Sequence, residues 1–286
     1  MNYQKIVFKN ISGLNISARL DLPTEGDPDA YAIFAHCFTC TKHLKAVAHI
    51  NRALTTEGIA VLRFDFTGLG ESEGNFSDTN FSTNIQDLIS AADFLKKNYK
   101  PPAILIGHSL GGAAVLHAAS KIPSVKAVAT IGAPAEPGHV SLLMKPVKNQ
   151  ILAEGEATVF LSGRNFQIKK QFLDDLEQTR MKDAIQNLNR ALIVFHSPID
   201  EIVGIEHAAK IFQTARHPKS FISMDKADHL LSDAEDSLYV GKVIAAWVRK
   251  YIDAPQTDIE TVKLKVSKEC CLENNQAAVD NNPAAT

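Results

Sequence analysis

The sequence predicts an α/β fold: a mostly parallel central sheet flanked by helices. Three features point to it. Short apolar runs such as "YAIFAH", "IAVLRFDF" and "ALIVFHSP" have the length and composition of strands buried on both faces. Between them lie segments of helical period, such as "FSTNIQDLISAADFLKKNY". The two kinds alternate along the chain, which joins parallel strands by helical crossovers.

In chain order, "YQKIVFKN" and "LNISARLDLP" are split by the turn "ISG" and predict an N-terminal hairpin of edge strands. "YAIFAH" is the next strand, followed by a helix from about His43 to Glu57 that Gly58 closes. "IAVLRFDF" leads to the long helix, with Ser82 or Thr83 as its cap and Pro101 and Pro102 as its stop. "AILIGHS" runs straight into helical "LGGAAVLHAASKI". "VKAVATIGAP", "ALIVFHSP" and "KSFISMD" complete the strands, the last two separated by the helix "GIEHAAKIFQTA".

Two regions break the alternation. Residues 134–190, with a hairpin around "ATVFLSGRNFQIKK" and the helical "QFLDDLEQTRMKDAIQNLN", are too long for a connection and predict a small inserted cap over the C-terminal edge of the sheet. Residues 1–253 then form one domain with that insertion. Residues 254–286 read as a largely disordered tail rich in Asn and Ala, within which the alternating "VKLKV" has the pattern of an exposed edge strand.

Composition narrows the function. With 45% hydrophobic and 22% charged residues, the chain is that of an ordinary globular protein. Its 30 basic and 32 acidic residues form no long basic run, so neither nucleic acid nor an anionic membrane is an expected partner. "MNYQKIVFKN" lacks the apolar core of a signal peptide and no stretch has the length of a membrane span, which predicts a cytoplasmic protein. Its four cysteines are expected as thiols.

"GHSLGG" matches GxSxG at a strand-to-helix junction, the context in which a strained turn lifts a serine out of the sheet. Ser109 is therefore the candidate nucleophile, and Gly107 and Gly111 give the neighbouring strand and helix room to approach. A serine hydroxyl needs a histidine base and a carboxylate that orients the imidazole, here expected in the order Ser, acid, His. "FHSPID" places Asp200 just past a strand, and "DKADHLL" places His229 in the loop before the last helix. His196, His207 and His217 are rival bases, but they fall in a strand end, in a helix and before Pro218; Asp225 and Asp228 are rival acids in a loop.

"AHCFTCTKH" raises a different question, because Cys37 and Cys40 at CxxC spacing, with His36 and His43 nearby, could bind zinc or cycle as a dithiol. Its position after an early strand is that of an oxyanion loop of HGxxG type, so the cysteines stand where glycines would. The expected oxyanion donors are the backbone N–H groups of Phe38 and Leu110, with His36 bracing the loop and no metal or other cofactor. "GLGESEG" lacks dinucleotide-binding spacing and reads as a loop that Asp65 anchors; Cys270 and Cys271 fall in the tail.

"FAHCFTCTKHLKA", "VLRFDFTGLGESEGNFSDTNFS", "LIGHSLGGAAVLHAA" and "HSPIDEIVGIEHAAKIF" together resemble the α/β-hydrolase superfamily. More closely, over about residues 3–252, the chain looks like the hydrolase half of bacterial proteins that join such a domain to an OsmC-type peroxidase domain. The resemblance implies the α/β-hydrolase fold, a triad of Ser109, Asp200 and His229, and oxyanion donors at Phe38 and Leu110. The short remainder after Ile252 is too small for an OsmC domain, so peroxidase activity is not expected. The expected activity is that of a serine carboxylesterase on a small-molecule ester. Amide or peptide hydrolysis is one alternative, and a redox or metal-binding role of Cys37 and Cys40 is another.

Overall fold

The computed structural model describes residues 2–161 and 163–253. The strands are β1 (Asn2–Lys9), β2 (Asn15–Leu22), β3 (Ala30–Ala35), β4 (Ile59–Phe64), β5 (Ile104–His108), β6 (Ala127–Ile131), β7 (Glu156–Leu161), β8 (Arg164–Lys169), β9 (Ala191–His196) and β10 (Lys219–Ser223). The helices are α1 (Lys45–Thr56), α2 (Phe81–Asn98), α3 (Leu110–Ala118), α4 (Lys148–Glu154), α5 (Lys170–Gln178), α6 (Met181–Gln186), α7 (Ile205–Thr214) and α8 (Ala234–Ile252).

Eight strands form one sheet in the order β1-β2-β4-β3-β5-β6-β9-β10. β1 and β2 pair antiparallel, β2 pairs antiparallel with β4, and every other pair is parallel. This is the α/β-hydrolase fold. Of the N-terminal hairpin only β1 is an edge strand. β2 has β4 on its other side, because the register Ala18↔Phe64 to Asp21↔Val61 joins the hairpin to the parallel sheet.

Residues facing opposite ways along each strand feed two separate cores, as the period of two requires. Ile33 and Ala35 of β3, Leu62 of β4 and Leu105 of β5 meet α2, α3 and α7 on one face. Ala32, Phe34, Val61 and Ile104 meet α1 and α8 on the other. β3 and β4 are buried along their whole length, which explains why their sequences run apolar without alternation. Arg63 is the exception on β4. It is 3% exposed and pairs with Asp21 of β2 at 2.9 Å.

α2 is capped two or three residues earlier than its sequence suggested. Asn80 is the N-cap, accepting from the Thr83 N–H while the Thr83 hydroxyl accepts from the Asn80 N–H, a reciprocal capping box. Between β6 and β9 the chain makes a 3₁₀ segment (Pro137–Val147), α4, the β7-β8 hairpin, α5 and α6. Among the described residues, no helix is long and apolar enough to cross a membrane. The residues of "VKLKV" and Cys270 and Cys271 lie outside the described residues.

Candidate active site

β5 ends at His108, and Ser109 turns the chain directly into α3 with φ 54° and ψ −126°. A non-glycine residue at positive φ stores strain, and here it points the hydroxyl away from the sheet edge. The turn is possible because of its glycines. A Cβ on Gly107 would lie 2.3 Å from the Gly111 carbonyl oxygen, and one on Gly111 would lie 2.4 Å from that of Ala35. Gly111 thus lets the start of α3 press against the end of β3, which brings Leu110 beside the loop that carries Phe38. The Leu110 N–H belongs to the first turn of α3, where a helix leaves its amide donors unpaired by its own carbonyls.

The structure brings Ser109, His229 and Asp200 together from three loops. His229 Nε2 lies 3.0 Å from Ser109 Oγ, and Nδ1 lies 2.7 Å from Asp200 Oδ2. A carboxylate only accepts, so Nδ1 carries the proton and the Nε2 lone pair faces the serine hydroxyl. Asp200 Oδ1 accepts from the N–H groups of Ile202 and Val203, both at 2.9 Å. Burial pushes the Asp200 carboxyl up, but the bonds from His229 and those two amides outweigh it and hold the group below the usual carboxylate range.

The loop that carries His229 has its own brace. His108 is buried and its Nε2–H donates to the His229 carbonyl at 2.6 Å. Burial, reinforced by the neighbouring His229, pushes the His108 imidazole down to about 4, so it remains a neutral donor at ordinary pH. Of the rival residues, His196, His207, Asp225 and Asp228 make hydrogen bonds of their own, and His196 Nε2 also lies 3.7 Å from Asp200 Oδ2. His196 is buried and donates to the Val203 carbonyl at 2.7 Å. His207, in α7, accepts from the Ala135 N–H at 3.1 Å. Asp225 accepts from Ser223 Oγ, and Asp228 from the Ser232 N–H.

The loop after β3 is held from several sides. His36 Nδ1–H donates to the Cys37 carbonyl at 2.8 Å, while its Nε2 accepts from the Phe66 N–H at 3.4 Å. Burial lowers its pKa, consistent with a neutral ring in that double role. Asp65, at the exit of β4, accepts from the Lys42 N–H at 2.7 Å and the Glu71 N–H at 3.0 Å, tying this loop to the "GLGESEG" loop. Arg164, at the start of β8, donates to the Thr39 carbonyl, a contact across 125 residues that no local pattern signals.

The expectation of free thiols at Cys37 and Cys40 is overturned: the two are joined in a disulfide. The Cys40 N–H donates to the Cys37 carbonyl at 3.2 Å in a turn whose third residue, Thr39, has φ 62°. That turn brings the two Cα atoms to 5.4 Å, inside bridging range. A compartment-wide redox argument treats cysteines as independent, whereas this turn holds the pair in contact. Once bonded, the sulfurs no longer offer the thiolates that a zinc site takes.

Cys37, Phe38, Ser109 and His229 share one cavity of about 530 Å³. Its remaining walls are largely apolar, with Val140, Leu142 and Leu143 from the 3₁₀ segment, Leu161 from β7, and Ile202 and Leu230 from the loops that carry Asp200 and His229. The segment between β6 and β9 therefore meets the C-terminal edge of the sheet at the serine.

A strained serine between a strand and a helix, a histidine and a buried carboxylate in line with it, and an apolar cavity above define a serine hydrolase of the α/β-hydrolase superfamily. The chain belongs to the family described as serine aminopeptidase, S33, which it matches over residues 26–257. It is similar to the esterase domain of a Rhodothermus marinus protein, with 55% identity and a TM-score of 0.74 over 88% of this chain and 100% of that one. It is 28% identical over 201 residues to the mitochondrial palmitoyl-protein thioesterase ABHD10 of Mus musculus, an alignment covering 68% of this chain and 66% of the relative. The chain thus spans just under two thirds of that thioesterase. A structure of Est1E from Butyrivibrio proteoclasticus with bound ferulic acid shares the fold, at 19% identity and a TM-score of 0.73 over 87% of this chain and 100% of that one.

Proposed function

We propose that the enzyme is a carboxylesterase that cleaves small to medium carboxylic acyl esters through an acyl-enzyme. The observation that carries this is the hydrogen-bonded line from Ser109 Oγ through His229 to Asp200, at 3.0 and 2.7 Å, at the foot of an apolar cavity. Ser109 Oγ attacks the ester carbonyl carbon as its proton passes to His229 Nε2, and Asp200 stabilises the imidazolium. The N–H groups of Phe38 and Leu110 hold the oxyanion, and His36 keeps the Phe38 loop in place. His229 gives the proton to the departing alcohol, then takes one from a water that hydrolyses the acyl-serine. The reading includes kinship with the hydrolase half of the OsmC-type fusion proteins, supported by "HCFTC".

Ser109→Ala is expected to lower kcat on p-nitrophenyl butyrate by roughly 10⁴-fold or more while the circular dichroism spectrum is retained, since triad members act as a unit. Near-wild-type turnover by the folded variant would exclude the mechanism. A second reading, amide hydrolysis at the amino end of a peptide, draws on the family description and on Glu201, whose carboxylate lies in the cavity lining and could pair with a substrate ammonium. Faster turnover of an aminoacyl p-nitroanilide than of the ester, with Glu201→Gln abolishing the preference, would favour it.

A further inference from the structure

Cys37 and Cys40 both line the cavity, and between them sits Phe38, whose N–H is the proposed oxyanion donor. Cys37 is 5% exposed, whereas Cys40 is half-buried, so Cys40 is the more accessible residue of the pair. The disulfide is thus not a remote staple. It closes a four-residue turn whose two cysteines line the same cavity as Ser109.

We propose that this disulfide is a thiol-exchange site that opens into the substrate cavity, takes small-molecule thiols, and sets the rate of the hydrolase by controlling the Phe38 donor. The kinetic half of the proposal rests on the ester-hydrolase reading above; the exchange chemistry does not. A cavity of about 530 Å³ has room for a thiol the size of a tripeptide. Its thiolate attacks Cys40 Sγ, the sulfur–sulfur bond breaks, and Cys37 leaves as a thiolate that takes up the proton the incoming thiol released. A second thiol attacks the mixed disulfide, so two thiols are oxidised to one small disulfide as the protein pair gains two electrons and two protons. Small-molecule disulfide reverses the sequence.

Reduction reaches the oxyanion donor through geometry. Two thiols cannot occupy bonded separation, so either a side chain rotates into the cavity or the turn opens. Thr39, next to Phe38, holds a left-handed backbone that a non-glycine residue adopts only when its surroundings impose it, and the disulfide spans it directly. The contacts that remain after reduction grip the turn from outside: His36 on the Cys37 carbonyl, Arg164 on the Thr39 carbonyl, and Phe172 and Phe76 on the Phe38 ring at 5.4 and 5.7 Å between centroids. They keep the loop folded. An oxyanion donor must sit within a few tenths of an ångström of its place to act, and losing one outright costs about 10²–10³-fold in kcat.

The test titrates the intact protein with glutathione and its disulfide. Cysteine state is read by iodoacetamide trapping and mass spectrometry of the peptide carrying Cys37 and Cys40, and turnover is followed on p-nitrophenyl butyrate. The isolated protein is expected to carry the disulfide, to pass through a glutathione adduct on Cys40, and on full reduction to lose roughly tenfold or more in kcat with KM changed less than about twofold. Oxidised glutathione should restore the rate, and the far-UV circular dichroism should stay constant throughout. Free alkylation of both cysteines in protein isolated without reductant would overturn the proposal. So would a disulfide that resists dithiothreitol in the folded protein, complete reduction with kcat unchanged, or a loss of rate that tracks a loss of secondary structure. If the oxidised protein turns over no ester or anilide, the hydrolase reading falls and with it the kinetic half, while the adduct and the trapped cysteines still decide the exchange site.

Discussion

His108 shows how much one buried imidazole beside the nucleophile does. Its pKa is pushed down to about 4 by burial, then by His229, while in the unfolded chain it titrates at an ordinary histidine value near ~6.5. Between these two values the unfolded state binds the proton and the native state does not, so stability is fully present above about pH 6.5 and is lost as pH falls toward about 4. The loss from this residue is about 3 kcal/mol at 1.36 kcal/mol per unit. His36, His117 and His207 are shifted the same way, each chiefly by burial, so the wild-type loss is larger than His108 alone accounts for. His108→Gln keeps a donor near the His229 carbonyl but cannot titrate. Urea unfolding across that range is expected to show a pH dependence shallower by about 3 kcal/mol than the wild type. Parallel curves would show that His108 is solvated. Asp200 shifts in the sense opposite to a purely buried carboxylate and stays ionised well into acid. The acid limb of kcat/KM is therefore expected to carry a slope of one, from the base alone; a slope of two would place a second proton in the mechanism.

At the scale of elements, the site depends on how closely α3 approaches β3. A Cβ on Gly111 would meet the carbonyl oxygens of Ala35 at 2.4 Å and His36 at 2.5 Å, both backbone atoms that cannot swing away. Gly111→Ala is expected to force helix and strand apart, lowering stability by about 1–3 kcal/mol and moving Leu110 away from the Phe38 loop. Activity should fall further than stability alone predicts, since both proposed oxyanion donors, Phe38 and Leu110, sit at that seam. Gly138→Ala is the control: the nearest atom to its Cβ is the Leu176 carbonyl oxygen at 4.0 Å, and a change within about 0.5 kcal/mol is expected. Chemical denaturation paired with ester kinetics on both variants checks this, and equal effects at the two glycines would refute it.

Across the whole molecule, the cavity forms where the segment between β6 and β9 meets the loops of the sheet. Leu143 lies on the cavity wall and is 40% exposed, which puts it near the opening. Leu143→Trp adds bulk there. Because each methylene in an apolar pocket is worth roughly 1–3 kcal/mol, the ratio of kcat/KM for p-nitrophenyl octanoate to that for the butyrate is expected to drop by about tenfold. An unchanged ratio would place the acyl chain along another wall.

By itself, the sequence determined most of the elements and picked out the three side chains that the fold brings into one hydrogen-bonded line. Apolar runs marked the doubly buried strands because burial on both faces removes polar alternation, and GHSLG at a strand-helix junction marked Ser109 because few other turns require glycines on both sides of a serine. Asp200 and His229 were legible from their places just past a strand and before the last helix. Tertiary structure decided what depends on distance between residues far apart in the chain. It made β2 an inner strand, gave the α2 cap to Asn80, set Arg164 on the Thr39 carbonyl and His108 on that of His229. It also decided the state of Cys37 and Cys40. Composition speaks only for an average cysteine, whereas a bond between two of them depends on a backbone turn that exists only once the loop is packed between β3, α3 and β8.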